Sequence, residues 1–345
     1  MRIRSGALCA LLPIMLSTPA LAHGVRADDH APAGVMSDHV HGAGEVMIGL
    51  RLSREWFGGD MKAGTDKISD AEVAARGYGV GVHSMRMDMA MLDLMWAPSD
   101  RVTLMVMPHY MKMDMKMVGL PGDAHGGHGS GHMMMPGQIH DHSVDGFGDT
   151  EVSALISLTR DPAFRLHTTL GVHVPTGSVK KRDANGNFQH YMMQMGSGTW
   201  DLLTGLTATG NAGILGWGAQ ASYLFRAENR NSSGYRLGDR FTTTGWLSGR
   251  LSDAVSLSAR AAYTDEGGIK GHYNGPHLHN SPPDFQANYG GRRLDLGAGV
   301  NFVATGGALH GFRLGLEYVR PVYEHVNGVQ IGKTESLLVN VSKAF

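Results

Sequence analysis

The chain has 345 residues with 30 basic and 31 acidic side chains, a formal net charge of −1, and one cysteine among 49 glycines. Near-neutrality implies no nucleic-acid partner, and a single cysteine excludes a disulfide framework. Against this background, 22 methionines and 19 histidines stand out as the groups able to do chemistry.

The amino terminus reads as a secretory signal over residues 1–22. Arg2 and Arg4 form its basic start, Ala7 to Leu16 its apolar stretch and Ala20-Leu21-Ala22 its cleavage site. Cys9 leaves with it, so the exported chain has no thiol and a net charge of about −3. Residues 23–44 follow as a histidine-containing segment with His23, His30, Met36, His39 and His41. Beyond the signal there is no run of roughly eighteen apolar residues, which excludes a transmembrane helix but not a membrane β-barrel.

Residues 45–345 divide into segments that alternate apolar with polar. Twelve are expected: 46–56, 84–96, 102–117, 148–160, 164–175, 199–209, 216–227, 240–251, 254–264, 291–303, 311–322 and 334–345. Tight connectors alternate with long ones, as short periplasmic turns and long outer loops do in outer-membrane barrels. Parity agrees. Val46, Ile48, Leu50, Leu52 and Trp56 oppose Met47, Arg51, Ser53 and Glu55, and later strands repeat the pattern. Trp96, Phe164, Trp217, Phe302, Phe312 and Phe345 fall at the presumed periplasmic ends with outward parity, as an aromatic girdle requires. The fold class is therefore all-β, an antiparallel transmembrane barrel of about twelve strands in the Gram-negative outer membrane. A soluble sandwich is set aside because it would expose these aromatics to water. Lipid and lipopolysaccharide are the expected surroundings, and the terminal Phe345 resembles the signature read by the barrel assembly machinery.

Strands two and three carry methionine at alternate places: Met85, Met87, Met89, Met91 and Met95, then Met105, Met107, Met111, Met113, Met115 and Met117, with His109 in the same row. A period of two puts them on one face, here the inner one, because Leu92, Leu94, Trp96, Leu104, Val106 and Tyr110 take the other. With residues 97–101 as the turn, cross-strand numbers sum to 198. That pairs Met85 with Met113, Met87 with Met111, Met89 with His109, Met91 with Met107 and Asp93 with Met105. A slip by two residues would keep the face. Above lies an expected outer loop, 118–147, with His125, His128, His132, His140 and His142.

Thioethers select Cu(I) and Ag(I), and imidazole accepts Cu(II), Ni(II) or Zn(II). Soft-metal handling, copper first, is thus the leading expectation. Loop histidines with His39 and His41 would capture the ion, and the methionine row with His109 and Asp93 would pass it on, with a periplasmic metal-handling partner as a candidate recipient. No cofactor is required. The alternatives are a channel for small hydrophobic or aromatic compounds, for which methionine is an adaptable lining, and a plugged structural barrel. Inward charges, namely Arg51, Glu55, Asp93, Arg165, Asp201, Arg250, Arg260, Asp295, Arg313 and Glu317, read as an internal salt-bridge network or selectivity surface. Nothing resembles a nucleophile constellation, so no enzyme is expected.

Finally, Ala33 to His41 with Gly44-Glu45-Val46-Met47, Trp96 to Met105, and Gly146-Phe147-Gly148-Asp149-Thr150 resemble a proteobacterial group of outer-membrane transporters. That group is related to the barrel family of the phenol meta-degradation pathway. The resemblance implies an outer-membrane barrel and brings no catalytic or binding residues.

Overall fold

The computed structural model describes residues 26–121, 134–159, 161 and 163–345. In chain order the strands are β1 (Val46–Gly64), β2 (Asp66–Ile68), β3 (Val80–Ser99), β4 (Val102–Met107), β5 (His109–Gly119), β6 (Ile139–Phe147), β7 (Thr150–Ser157) and β8 (Phe164–Val174). They continue as β9 (Asp201–Ala212), β10 (Leu215–Arg226), β11 (Tyr235–Arg236), β12 (Arg240–Ser252), β13 (Val255–Glu266), β14 (Lys270–Gly271), β15 (Gly291–Val303) and β16 (Arg313–Ala344). One six-residue helix, α1 (Asp70–Ala75), follows β2 and is capped by Ser69 and Glu72. No described helix is long and apolar enough to cross a membrane.

The ladder closes. Starting from β1 it runs through β3, β4, β7, β8, β9, β10, β12, β13, β15 and β16, and β16 pairs back onto β1. Every pairing is antiparallel, so a closed ring needs an even number of passes, yet only eleven elements take part. The resolution lies in β16: Arg313 to Val326 pairs with β15, and the remainder down to Ala344 pairs with β1. Its two halves therefore run in opposite directions, and Gly328, with φ of +58°, sits at the reversal where a side chain would be strained. The wall is crossed twelve times, as the alternation predicts. Closure leaves no unpaired edge, which a bilayer demands.

The lipid-facing set is exposed in rows. Ile48, Leu50 and Leu52 on β1, Leu92 and Leu94 on β3, and Leu296 on β15 are each about 40–50% accessible. Trp96, Phe164, Trp217, Phe302, Phe312 and Phe345 are likewise exposed at the end that holds the tight turns and the chain terminus. These rows and girdle place the protein in the bacterial outer membrane.

Two expectations need correction. The β3 ladder sums to 200, not 198: Met85 faces Met115, Met87 faces Met113, Met89 faces Met111 and Met91 faces His109. The reason is the turn. Ser99 pairs with Val102, so only Asp100 and Arg101 reverse the chain, and an irregularity between Trp96 and Ser99 takes up the difference. The outer loop 118–147 is also shorter than expected, because β5 and β6 continue the sheet above the barrel, from Tyr110 opposite Phe147 to Val118 opposite Ile139. His125, His128 and His132 lie outside the described residues.

Candidate functional site

The interior has three parts: a packed half, an open half and a plug. The methionines point inward as their parity requires. Met85, Met105, Met107, Met113 and Met115 are buried, and Met87, Met89, Met91 and Met111 are half-buried. Many of them are packed against one another. Met85, Met113, Met115 and Met117 pack with Met61, Val80, Val82 and Ile331, and the loop after β8 folds inward to set Met193 and Met195 against them. Lower down, Met47, Met95, Met105 and Leu155 form a second cluster. Unbranched thioethers fill such irregular space well.

The opposite half is hollow. A cavity of about 510 Å3 is lined by Gln220, Ser222, Arg240, Thr242, Thr244, Arg260, Thr264, Arg293 and Glu324 on its polar side. Met61, Leu203, Leu224, Val329 and Ile331 give it an apolar side, Gly34, Met36 and Ser37 its floor, and Met192, Pro283 and Tyr289 its roof. Met85 to Met117 of β3, β4 and β5 contribute nothing to it.

Residues 26–45 make the floor. This segment has no regular structure, so its backbone groups must find partners on the wall. Arg313 donates to the Arg26 carbonyl (2.9 Å), Arg51 to those of Ala33 and Val35 (2.9 and 2.8 Å), Gln220 to that of Met36 (2.9 Å) and His167 Nε2 to that of Ser37 (2.8 Å). Gly34 N donates to Glu317 (2.6 Å) and His41 N to the Thr103 hydroxyl (2.9 Å). These partners come from strands all round the ring, so the segment spans the lumen near its periplasmic end. Gly34 passes so close to the wall that a Cβ there would lie 2.4 Å from Arg260 Nη2 and 2.8 Å from Glu317 Oε2, so a larger residue would have to displace that ion pair.

Eight of the ten inward charges are in ion pairs. Arg51 bonds Asp93 at 2.6 Å, Arg260 bonds Glu317 at 2.7 Å, Glu55 accepts from Lys333 at 3.0 Å, and Asp295 from Arg293 at 2.9 Å. Asp201 is held by Arg226, and Arg250 reaches Asp253 at 3.3 Å in the turn after β12. Arg165 flanks a small cavity beside the plug. Asp93, expected to help carry an ion, is 2% exposed and committed to Arg51. His109 is half-buried beside Gly148.

Among the described residues, histidines gather in the plug, at the outer mouth and in the connection before β15, where the His277 and His279 rings lie 4.1 Å apart. In the plug, His30, Asp38 and His39 offer ligand atoms within 4.8 Å of one another, and His41 adjoins His39. Burial, with Arg313 beside it, pushes the His30 imidazole well below its ordinary value, and burial lowers His41 too. Burial alone would raise the Asp38 carboxyl, but His39 holds it well below the usual range. At the outer mouth, His140 and His142 lie across β5 from Met117 and Met115 with their rings 4.7 Å apart. His142 stands 5.3 Å from His190, whose Nε2 is 3.2 Å from the Met117 sulfur and whose Nδ1 donates to Asp284 at 2.7 Å. Sequence reasoning missed His190. The available signal was the run Tyr191-Met192-Met193-Gln194-Met195 beside it, as methionine-rich as the wall it covers. An aromatic stack of Phe188, Tyr273 and Tyr191, with ring centroids 4.4 and 4.2 Å apart, braces this roof.

The fold recurs among solved structures. The COG4313 outer membrane channel from Pseudomonas putida F1 superimposes with a TM-score of 0.58 at 13% identity, covering 90% of this chain and 98% of that one. A Pseudomonas aeruginosa FadL homologue (TM-score 0.40, 9% identity, 87% and 90% covered) and the NanC porin (0.42, 8%, 86% and 98%) are more distant. No curated protein matches the sequence. The family described as "Putative MetA-pathway of phenol degradation" matches residues 114–316, more than half of the chain, and the protein belongs to that family.

Proposed function

We propose that the protein is a plugged outer-membrane channel for small amphipathic organic molecules, ring compounds of the phenol class first. The observation that carries this reading is the cavity of about 510 Å3, polar on one side and apolar on the other. Its size suits one small ligand, and such two-sided lining fits a ring bearing a hydroxyl. The family description points to the same chemistry. Passage requires the plug to shift, since residues 34–37 form the cavity floor.

Flux of phenol-class solutes into liposomes containing the refolded protein tests this. Thr242 and Thr264 face each other across β12 and β13 on the cavity wall. Replacing both with tryptophan is expected to reduce phenol entry at least tenfold. Equal flux through the blocked variant would send the solute elsewhere and sink the reading.

Handling of Cu(I) or Ag(I) is a second reading, supported by the His190–Met117 contact with His142 beside it at the mouth. The methionines of β3, β4 and β5 lie outside the cavity, so this reading rests on capture at the mouth. Ag(I) flux in the same liposomes, unaffected by the tryptophan block, would favour it.

A further inference from the structure

The plug carries ligating groups that the solute pathway does not use. His39 Nδ1 donates to Asp38 Oδ1 at 2.9 Å, and His41 Nδ1 donates to Glu45 Oε2 at 3.2 Å. An ionised carboxylate only accepts, so each imidazole is fixed with its proton on Nδ1. With both rings neutral, both Nε2 atoms bear lone pairs, and they face each other at 3.2 Å. Two lone pairs in that position repel unless they share a cation, a proton or a metal ion. Nitrogens about 2.0–2.1 Å from a tetrahedral ion stand roughly 3.3 Å apart, close to what is observed.

The surroundings agree. The His30 ring lies 4.1 Å from that of His39, and His30 offers a ligand atom within 4.8 Å of those of Asp38 and His39. A cavity of about 30 Å3 opens against His30, Asp38 and His39, room on the scale of one small ion. Side-chain exposure is 19% for His30, 14% for His39 and 5% for His41, so a bound ion would be largely shielded from water. Carboxylates behind the ring nitrogens orient ligands and raise their basicity at metal sites, and Asp38 and Glu45 hold that place here.

We propose that the plug binds one borderline divalent ion of the Zn(II), Ni(II) or Cu(II) class through Nε2 of His39 and His41, with His30 as third ligand. The ion cross-links residues 30, 39 and 41, and so stiffens the segment that closes the barrel. This inference is independent of which solute the channel admits.

The test uses the full chain refolded in detergent, stripped with chelator, and titrated with Zn(II) and with Co(II) as an optical probe. Because histidines elsewhere in the chain can also take up added metal, the readout is the difference between variants. His39→Ala with His41→Ala is expected to lose one tightly held Zn(II) and the tetrahedral Co(II) absorption, whereas His190→Ala keeps both. Asp38→Asn retains all three imidazoles but releases the His39 proton position, and should weaken Zn(II) by about 10–100-fold. A double variant that runs as a folded, heat-modifiable barrel yet binds the same Zn(II) with the same Co(II) spectrum overturns the site. If that variant fails to fold, unchanged Zn(II) affinity in Asp38→Asn overturns it instead.

Discussion

The two halves of the barrel wall start from the same strand geometry and end with opposite interiors. On β3, β4 and β5 the inward row is methionine, and a loop folds Met193 and Met195 onto its upper part. On β10, β12 and β13 the inward row is Gln220, Ser222, Thr242, Thr244 and Thr264, and the space before it stays free. Side-chain volume is part of the difference: a twelve-pass ring is intermediate between barrels filled by side chains and those that hold a channel. Long thioethers crowd one half, and short hydroxyls leave space before the other. Chemistry follows volume here, since the side with the soft ligands lies away from the cavity.

The contrast can be broken most severely through the ion pair that anchors both the plug and the packed half. Arg51→Ala leaves Asp93 buried without its partner and frees the Ala33 and Val35 carbonyls, and should cost about 3–5 kcal/mol in denaturant unfolding followed by tryptophan fluorescence. Recovery of most of that loss by Arg51→Met with Asp93→Leu would show that the penalty is the stranded charge. Next comes Met115, 1% exposed in the methionine core. Met115→Ala should cost about 2–5 kcal/mol by leaving a cavity. Met115→Leu, which keeps the volume, should cost less than about 1.5 kcal/mol and leave phenol flux unchanged. Flux lost in the leucine variant would place the sulfur on a pathway and dissolve the distinction between the halves. The smallest effect is expected outside: Arg54 and Asp88 pair at 2.5 Å on the exposed face, and Arg54→Ala should leave the unfolding midpoint where it is.

Much of this architecture is legible in the chain. The inward methionines, the girdle from Trp96 to Phe345 and the twelve passes all follow from a period of two, which is local and is enforced by lipid on one face. The pairing of Arg51 with Asp93 was expected in kind, as an internal network, though its partners were not assigned. The register was missed by two residues because it depends on a turn of Asp100 and Arg101 that propensity does not single out. The histidines divide similarly. His39 and His41 were recognised as ligand candidates, whereas His190 joins Met117 only because a long connection folds back into the lumen.

Sequence by itself determined the alternating strands and the face on which the sulfur side chains lie, because each is set by neighbours a few positions away or by the solvent on one side. Tertiary structure alone decided that residues 26–45 enter the barrel, that a loop seals the methionine wall and that the opposite wall stays open. These depend on backbone groups of an irregular segment finding donors and acceptors on strands hundreds of residues away, as Gly34 does with Glu317, and no periodicity records such a meeting.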